Sequence, residues 1–296
     1  MTQPAVPQHS AISTQHSSRI TLSGFGDEIS DELTEQLDTL DRAGIRRLDL
    51  RGVWGRNVLD LTDAQVDRLR AELDARGMSV SCVASPVGKA PVDGDVAQQQ
   101  AALARALAIA RQLDAPSVRI FSYYLPAGDA PERWRGVVLE RLGALVRQAE
   151  EAGLILLHEN ETGIYGDSPA RCHELHTQLG SPRFLALWDP GNFAACGYRP
   201  FTDSFHLLRP YIADVHVKDF DRASGRVVVA GAGDAQWREC LAALRDAGYA
   251  GNFALEPHLA HAGPAGGFTG PELFLEALNA FTALLDEAGF EPEQYA

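Results

Sequence analysis

The sequence predicts an α/β protein folded as a single-domain (β/α)8 TIM barrel. From Ile20 onward, eight short apolar or β-branched runs alternate with eight longer segments of helical period, the order of a parallel sheet wrapped by helices. The repeats fill about 275 residues, the usual size of such a barrel. A doubly wound open sheet shares this periodicity and is the alternative that only closure decides. Residues 20–25 (ITLSGF) are the first predicted strand, followed by a helix at 31–43. Strand 46–51 (RRLDLR) leads to a helix at 62–76, and strand 78–84 (MSVSCVA) to one at 95–113. Strand 117–123 (SVRIFSY) precedes a helix at 131–152 whose apolar stripe is Val138, Leu142, Leu145 and Ala149. Strands 154–159 (LILLHE), 184–189 (FLALWD), 212–218 (IADVHVK) and 252–256 (NFALE) alternate with helices at 168–179, 203–209, 235–247 and 270–288. Gly44, Gly77, Gly153 and Gly248 stand where a left-handed C-cap is wanted. No linker-like shift, charge run or repeat divides residues 19–296, and residues 1–18 read as a loose tail without the basic start and apolar stretch of a signal peptide.

Composition narrows the partners. Of 296 residues, 40 are Asp or Glu and 26 Lys or Arg, a formal net charge of −14, so attraction to a nucleic-acid backbone would need a local basic patch and no such partner is expected. No apolar run approaches the ~18 residues that cross a bilayer, so no membrane partner is expected either. Cys82, Cys172, Cys196 and Cys240 are scattered without a CxxC pair, which reads as reduced thiols in a cytoplasmic protein.

In a barrel the reactive groups collect at the C-terminal strand ends. Four consecutive predicted strands end on candidate metal ligands: Glu159 in LILLHEN, Asp189 in LALWDPGN, His216 in DVHVKD and Glu256 in FALEPH. The intervals of 30, 27 and 40 residues are each about one βα unit, so neighbouring strands would present one ligand apiece. By side-chain alternation Ile155 and Leu157 share a face with Glu159, Leu185 and Leu187 with Asp189, and Ala254 with Glu256. The lumen is then expected to be apolar below and carboxylate-lined above. Each acid alone reads equally as an ion-pair partner, but three carboxylates and an imidazole converging would repel unless a divalent cation neutralised them. This oxygen-rich set without thiolates suits Mn2+, with Mg2+ or Co2+ close behind.

HEN at 158–160, WDPGN at 188–192 and HVKD at 216–219 carry a resemblance over roughly residues 20–290. The chain resembles the xylose isomerase-like superfamily of sugar phosphate isomerases and epimerases, which includes ketose 3-epimerases and inosose dehydratases. The resemblance implies that Glu159, Asp189, His216 and Glu256 hold one divalent metal, and that Glu159 and Glu256 are the acid and base of an epimerase. It also implies a homodimer and a carbohydrate substrate. Such a site enolises a keto sugar or polyol through an enediolate, giving epimerisation or isomerisation. A β leaving group on an inosose or 3-keto-glycoside would turn the same site to elimination, the alternative lyase reading.

One departure stands out. Ketose 3-epimerases place a His three residues after the metal Asp, where this chain has Asn192, which keeps hydrogen bonding but no proton-transfer role. An Arg six residues after the metal His does match, as Arg222, which reads equally as an exposed turn residue. Further substrate-contact candidates are Lys218 on the face of His216, His258 beyond Glu256, Arg51 and Tyr123 ending the second and fourth strands, and Lys89 in SPVGK. Set against each is a structural role, as an ion-pair partner or a packed side chain. His158, off the lumen face, and Trp54 read as packed residues. The AGAG turn at 230–233 resembles a phosphate cradle, but a short Gly-rich loop explains it equally. Nuclease chemistry on this barrel would want more His ligands and a basic groove than the sequence offers.

Overall fold

The computed structural model describes residues 19–263 and 266–293, so the expected 1–18 tail lies outside the described residues. Eight strands, β1 (Thr21–Phe25), β2 (Arg47–Leu50), β3 (Ser79–Val83), β4 (Ser117–Ile120), β5 (Ile155–Glu159), β6 (Phe184–Trp188), β7 (Ile212–Val217) and β8 (Asn252–Leu255), lie in sequence order. β1 pairs in parallel with β8 from Thr21↔Asn252 to Gly24↔Leu255, which closes the sheet and excludes the open alternative.

The helices are α1 (Leu33–Arg42), α2 (Asp63–Ala75), α3 (Val96–Gln112), α4 (Pro131–Ala152), α5 (Pro169–Leu179), α6 (Pro190–Ala195), α7 (His206–Leu208), α8 (Trp237–Asp246) and α9 (Pro271–Ala288). Their starts follow local chemistry: Thr62 and Gln65 form a capping box, and Asp95 and Ser168 accept backbone N–H groups of α3 and α5. The helix expected at 203–209 is a wide π-helical turn, Pro200–Phe205, running into the single turn of α7.

The sequence reading missed α6 and three short hairpins, Gly52–Val53 with Arg56–Asn57, Asp219–Asp221 with Arg226–Val228, and His261–Gly263 with Gly266–Phe268. Two or three residues per strand are too few for alternation to register. The loop holding AGAG wraps a protein carboxylate rather than an open space: Asp219, itself buried, accepts from the N–H groups of Phe220, Gly231, Gly233 and Ala235 at 2.8–3.0 Å. A Cβ on Gly233 would stand 2.5 Å from Asp219, so only glycine lets the backbone approach this closely.

A large apolar layer fills the space between strands and helices, with Val118, Leu156, Val215 and Phe253 from the barrel facing Leu37, Leu69, Leu142 and Phe281. The lumen mixes apolar and polar side chains. Cys82, Leu157 and Leu187 cluster there, with Ile155, Leu185 and Ala213 packed against them. Beside them in register lie buried Asp49, next to Cys82, and Asp214, next to Leu187, together with buried Ser23, a correction to the apolar layer expected below the strand-end carboxylates. Asn252 Nδ2 donates to Ser23 Oγ at 2.7 Å and to Asp214 Oδ1 at 3.1 Å. Burial, and next the charge of Asp49, push the Asp214 carboxyl well above the carboxylate range.

Candidate active site and metal centre

Glu159 ends β5, Asp189 follows β6, His216 lies on β7 and Glu256 follows β8. Each offers one ligand atom, and the four atoms lie within 4.8 Å of one another in buried surroundings. Local structure aims the carboxylates. Asp189 caps α6, its Oδ1 accepting the Asn192 N–H at 2.7 Å, which leaves Oδ2 turned into the cluster. Asn160 clamps the strand ends together, donating to the Asp189 carbonyl and accepting the Asp189 N–H, both at 2.9 Å. Asn192 Nδ2 donates to the Asn160 carbonyl at 2.9 Å and to Glu159 Oε1 at 3.2 Å.

His216 Nδ1 stands 3.2 Å from both Glu159 Oε1 and Glu256 Oε2, and 3.8 Å from Asp189 Oδ2. Burial works against its charge, yet Glu159 and Glu256 raise its proton affinity to about 10. Burial likewise opposes ionisation of Glu159, but His216 and Arg119 hold it below the usual carboxylate range. Glu256 is held well below that range against burial, by Lys218, His258 and His216. Burial raises Asp189. Asp189 Oδ2 and Glu159 Oε2 receive no well-aligned hydrogen bond, although Lys218 Nζ lies 2.8 Å from the first and Arg119 Nη1 3.1 Å from the second. Acids this concentrated, with a neutralisable imidazole and oxygens lacking donors, fit a hard divalent cation.

A ring of cations surrounds the cluster. Lys218 Nζ also reaches Glu256 Oε2 at 2.9 Å, and Arg119 Nη1 lies 3.6 Å from Glu256 Oε1. Arg51 Nη1 donates to Glu256 Oε1 at 2.9 Å. The Phe25 ring forms the floor, with His216 edge-on at 5.1 Å and the Arg51 and Arg119 guanidiniums at 5.1 and 5.4 Å from its centroid.

Above this floor a cavity of about 30 Å³ is lined by Arg51, Lys89, Arg119, Lys218, Glu256 and His258 among others. Lys89 pairs with Glu161 at 3.0 Å, tying the loops after β3 and β5. His258 Nε2 is 3.8 Å from Glu256 Oε1.

Three sequence candidates do not line this cavity; Asn192 sits instead against Glu159 and Asn160. Arg222 is solvent-facing and pairs with Asp234 at 3.0 Å. Tyr123 falls after β4, which ends at Ile120; its positive φ of 69° diverts the chain, and its buried ring packs 5.7 Å from the Arg141 guanidinium. His158 faces outward from the barrel against His176 and Phe184, and Trp54 packs under Arg68. Sequence reasoning missed Arg119, Glu28 and Phe25. Arg119 had a signal, since an arginine on the inner face of SVRIFSY has to find an acid inside the barrel.

A family model described as "Xylose isomerase-like TIM barrel" matches residues 37–284. The 2-epi-5-epi-valiolone 7-phosphate 2-epimerase of Actinoplanes sp. is 32% identical over 202 residues, covering 67% of this chain and 72% of that protein. Among solved structures, a D-tagatose 3-epimerase-like protein superposes with a TM-score of 0.74 at 16% identity, over 91% of this chain and 98% of that one. A xylose isomerase-like TIM barrel protein from Mycobacterium smegmatis, in complex with magnesium, gives 0.66 at 18% identity, over 93% and 99%. At these identities the structural likeness is one of fold.

Proposed function

This chain belongs to the xylose isomerase-like TIM barrel family, and from that premise we propose that it is a divalent-metal-dependent isomerase or epimerase of a keto sugar or related polyol. The observation that carries the reading is the convergence of Glu159, Asp189, His216 and Glu256 within 4.8 Å at the barrel mouth. These four residues would hold the ion, Mn2+ being the best match to three carboxylates and one imidazole, with Mg2+ or Co2+ next. A divalent cation bound there supplies a Lewis acid for adjacent carbonyl and hydroxyl oxygens of the substrate.

The chain's own residues do the rest. Glu159 and Glu256 are both held ionised at neutral pH, so either can accept the proton from the carbon between those oxygens. For inversion the other glutamate must first take up a proton from water, which it then delivers to the opposite face of that carbon while the first releases the abstracted proton to solvent. Arg119 and Lys218 lie beside both glutamates, where they stabilise negative charge developing on the substrate's oxygens. Asn192 holds Glu159 by a hydrogen bond and takes no proton.

The test is proton exchange. Protein stripped of metal and reloaded with Mn2+ is incubated in D2O with a panel of ketoses, inososes and 3-keto-glycosides, followed by NMR and mass spectrometry. Metal-dependent deuterium incorporation next to a carbonyl is the expected result, and loss of water or aglycone would assign elimination instead. No exchange with any of them, in protein holding one metal, would overturn the enolising role.

A further inference from the structure

Glu28, in the short helical turn that follows β1, is completely buried although it belongs to neither the ligand cluster nor the apolar core. Both of its oxygens are committed. Oε1 accepts from Arg51 Nη2 at 2.9 Å and faces His258 Nδ1 at 2.6 Å, and Oε2 accepts from the His258 N–H at 3.0 Å and Thr269 Oγ1 at 2.6 Å. Burial works against its charge, but His258 and then Arg51 hold the carboxyl at about 2, so it is ionised. A buried carboxylate is costly unless fully paired, and removing it would take from Arg51 and His258 a partner that each of them holds.

Both of those partners point at one residue. Arg51 spans three carboxylates, with Nε on Asp27 at 2.7 Å, Nη2 on Glu28 and Nη1 on Glu256 at 2.9 Å, and Nη2 donates in addition to the Gly267 carbonyl at 3.0 Å. His258, held at its Nδ1 side by Glu28, turns Nε2 toward Glu256 Oε1. The loop after β8 is built around the pair: a Cβ on Gly267 would meet His258 Nδ1 at 2.0 Å, and one on Gly266 would meet Arg51 Nη1 at 2.8 Å. A planar guanidinium with each edge occupied cannot rotate, so the edge offered to Glu256 is fixed from the far side.

We infer that Glu28 is a positioning residue for Glu256, setting that carboxylate through Arg51 and His258 without touching the ligand cluster itself. Its importance for catalysis rests on the reading of Glu256 as ligand and base; the positional link does not. Glu28→Gln keeps the size and removes the charge, and Arg51→Lys keeps a charge that cannot span three carboxylates at once, a second variant should the first fail to fold. Two measurements are made on the full chain: a crystal structure of each variant, and Mn2+ affinity with the EPR spectrum of the bound ion. The expected result is loss of the Arg51–Glu256 contact in Glu28→Gln, a displaced Glu256 in both variants, and Mn2+ binding weakened roughly 10- to 100-fold with an altered spectrum. Glu256 unmoved in Glu28→Gln would overturn the inference, as would a wild-type Mn2+ affinity and spectrum in that variant; should it fail to fold, the same outcomes in Arg51→Lys would do so. If the wild type binds no Mn2+, the metal reading fails, and the crystal structures alone still decide the positional link.

Discussion

Arg119 Nη1 lies 3.1 Å from Glu159 Oε2 inside the barrel mouth, and the same nitrogen stands 3.6 Å from Glu256 Oε1. One guanidinium from β4 thus bridges the two glutamates assigned to proton transfer. Arg119→Met removes a buried positive charge where negative charge develops, and turnover is expected to fall roughly 100-fold. The readout is kcat on whichever compound shows exchange, with circular dichroism as a control on folding. Turnover within a few-fold of wild type would remove Arg119 from the mechanism.

Glu159→Gln and Glu256→Gln should each cost roughly 100- to 10,000-fold in deuterium exchange, the range for loss of a positioned acid or base. Lys89→Ala should mainly raise KM, because Lys89 lines the mouth away from the ligand cluster. Near wild-type exchange in either glutamate variant would sink the two-glutamate scheme.

Metal binding should stabilise the fold by mass action. With Mn2+ at 100 times its dissociation constant the gain is about 2.7 kcal/mol, seen as a rise in melting temperature that a chelator reverses. An unchanged transition in both conditions would argue against a metal at Glu159, Asp189, His216 and Glu256.

His176 is buried against Phe184 and Tyr211, and burial lowers its proton affinity to about 3 from an ordinary 6.5. The unfolded chain therefore binds a proton that the folded chain refuses. This stabilisation is complete above pH 6.5 and is lost as pH falls toward 3, at about 1.4 kcal/mol per pH unit. Buried Asp214, with its raised affinity, works in the opposite direction, so the comparison is made between variants. Urea unfolding at pH 7.5, 6.5 and 5.5 should show a shallower acid loss for His176→Phe than for wild type. Parallel pH profiles would count against a neutral His176 in the folded state.

Asp219→Ala strips four backbone N–H groups of their acceptor. At about 1 kcal/mol or more per orphaned donor the expected destabilisation is about 3–5 kcal/mol, measured by denaturant unfolding. A change below about 1 kcal/mol would mean that water reaches those amides and that the turn is not built on Asp219.

The strand ends carrying Glu159, Asp189, His216 and Glu256 were legible because each sits on a period-two face that ends its run, and Gly44, Gly77, Gly153 and Gly248 do adopt the positive φ their positions called for. Tyr123 was misplaced on the same logic: alternation assumes an unbroken strand, and β4 stops three residues earlier. The residue type of Asn192 alone tells what proton chemistry it lacks, whereas its binding of Glu159 and its place in α6 depend on a six-residue helix too short to read.

The sequence by itself determined the element order, which faces point inward and which strand ends carry acids, since these depend on local periodicity and neighbouring side chains. Tertiary structure alone decided that β1 closes on β8, that Arg51 meets Glu256 across 205 residues and that Glu28 meets His258 across 230. The physical reason is that buried charges choose partners by distance in space. Barrel closure sets those distances, and no periodicity along the chain encodes them.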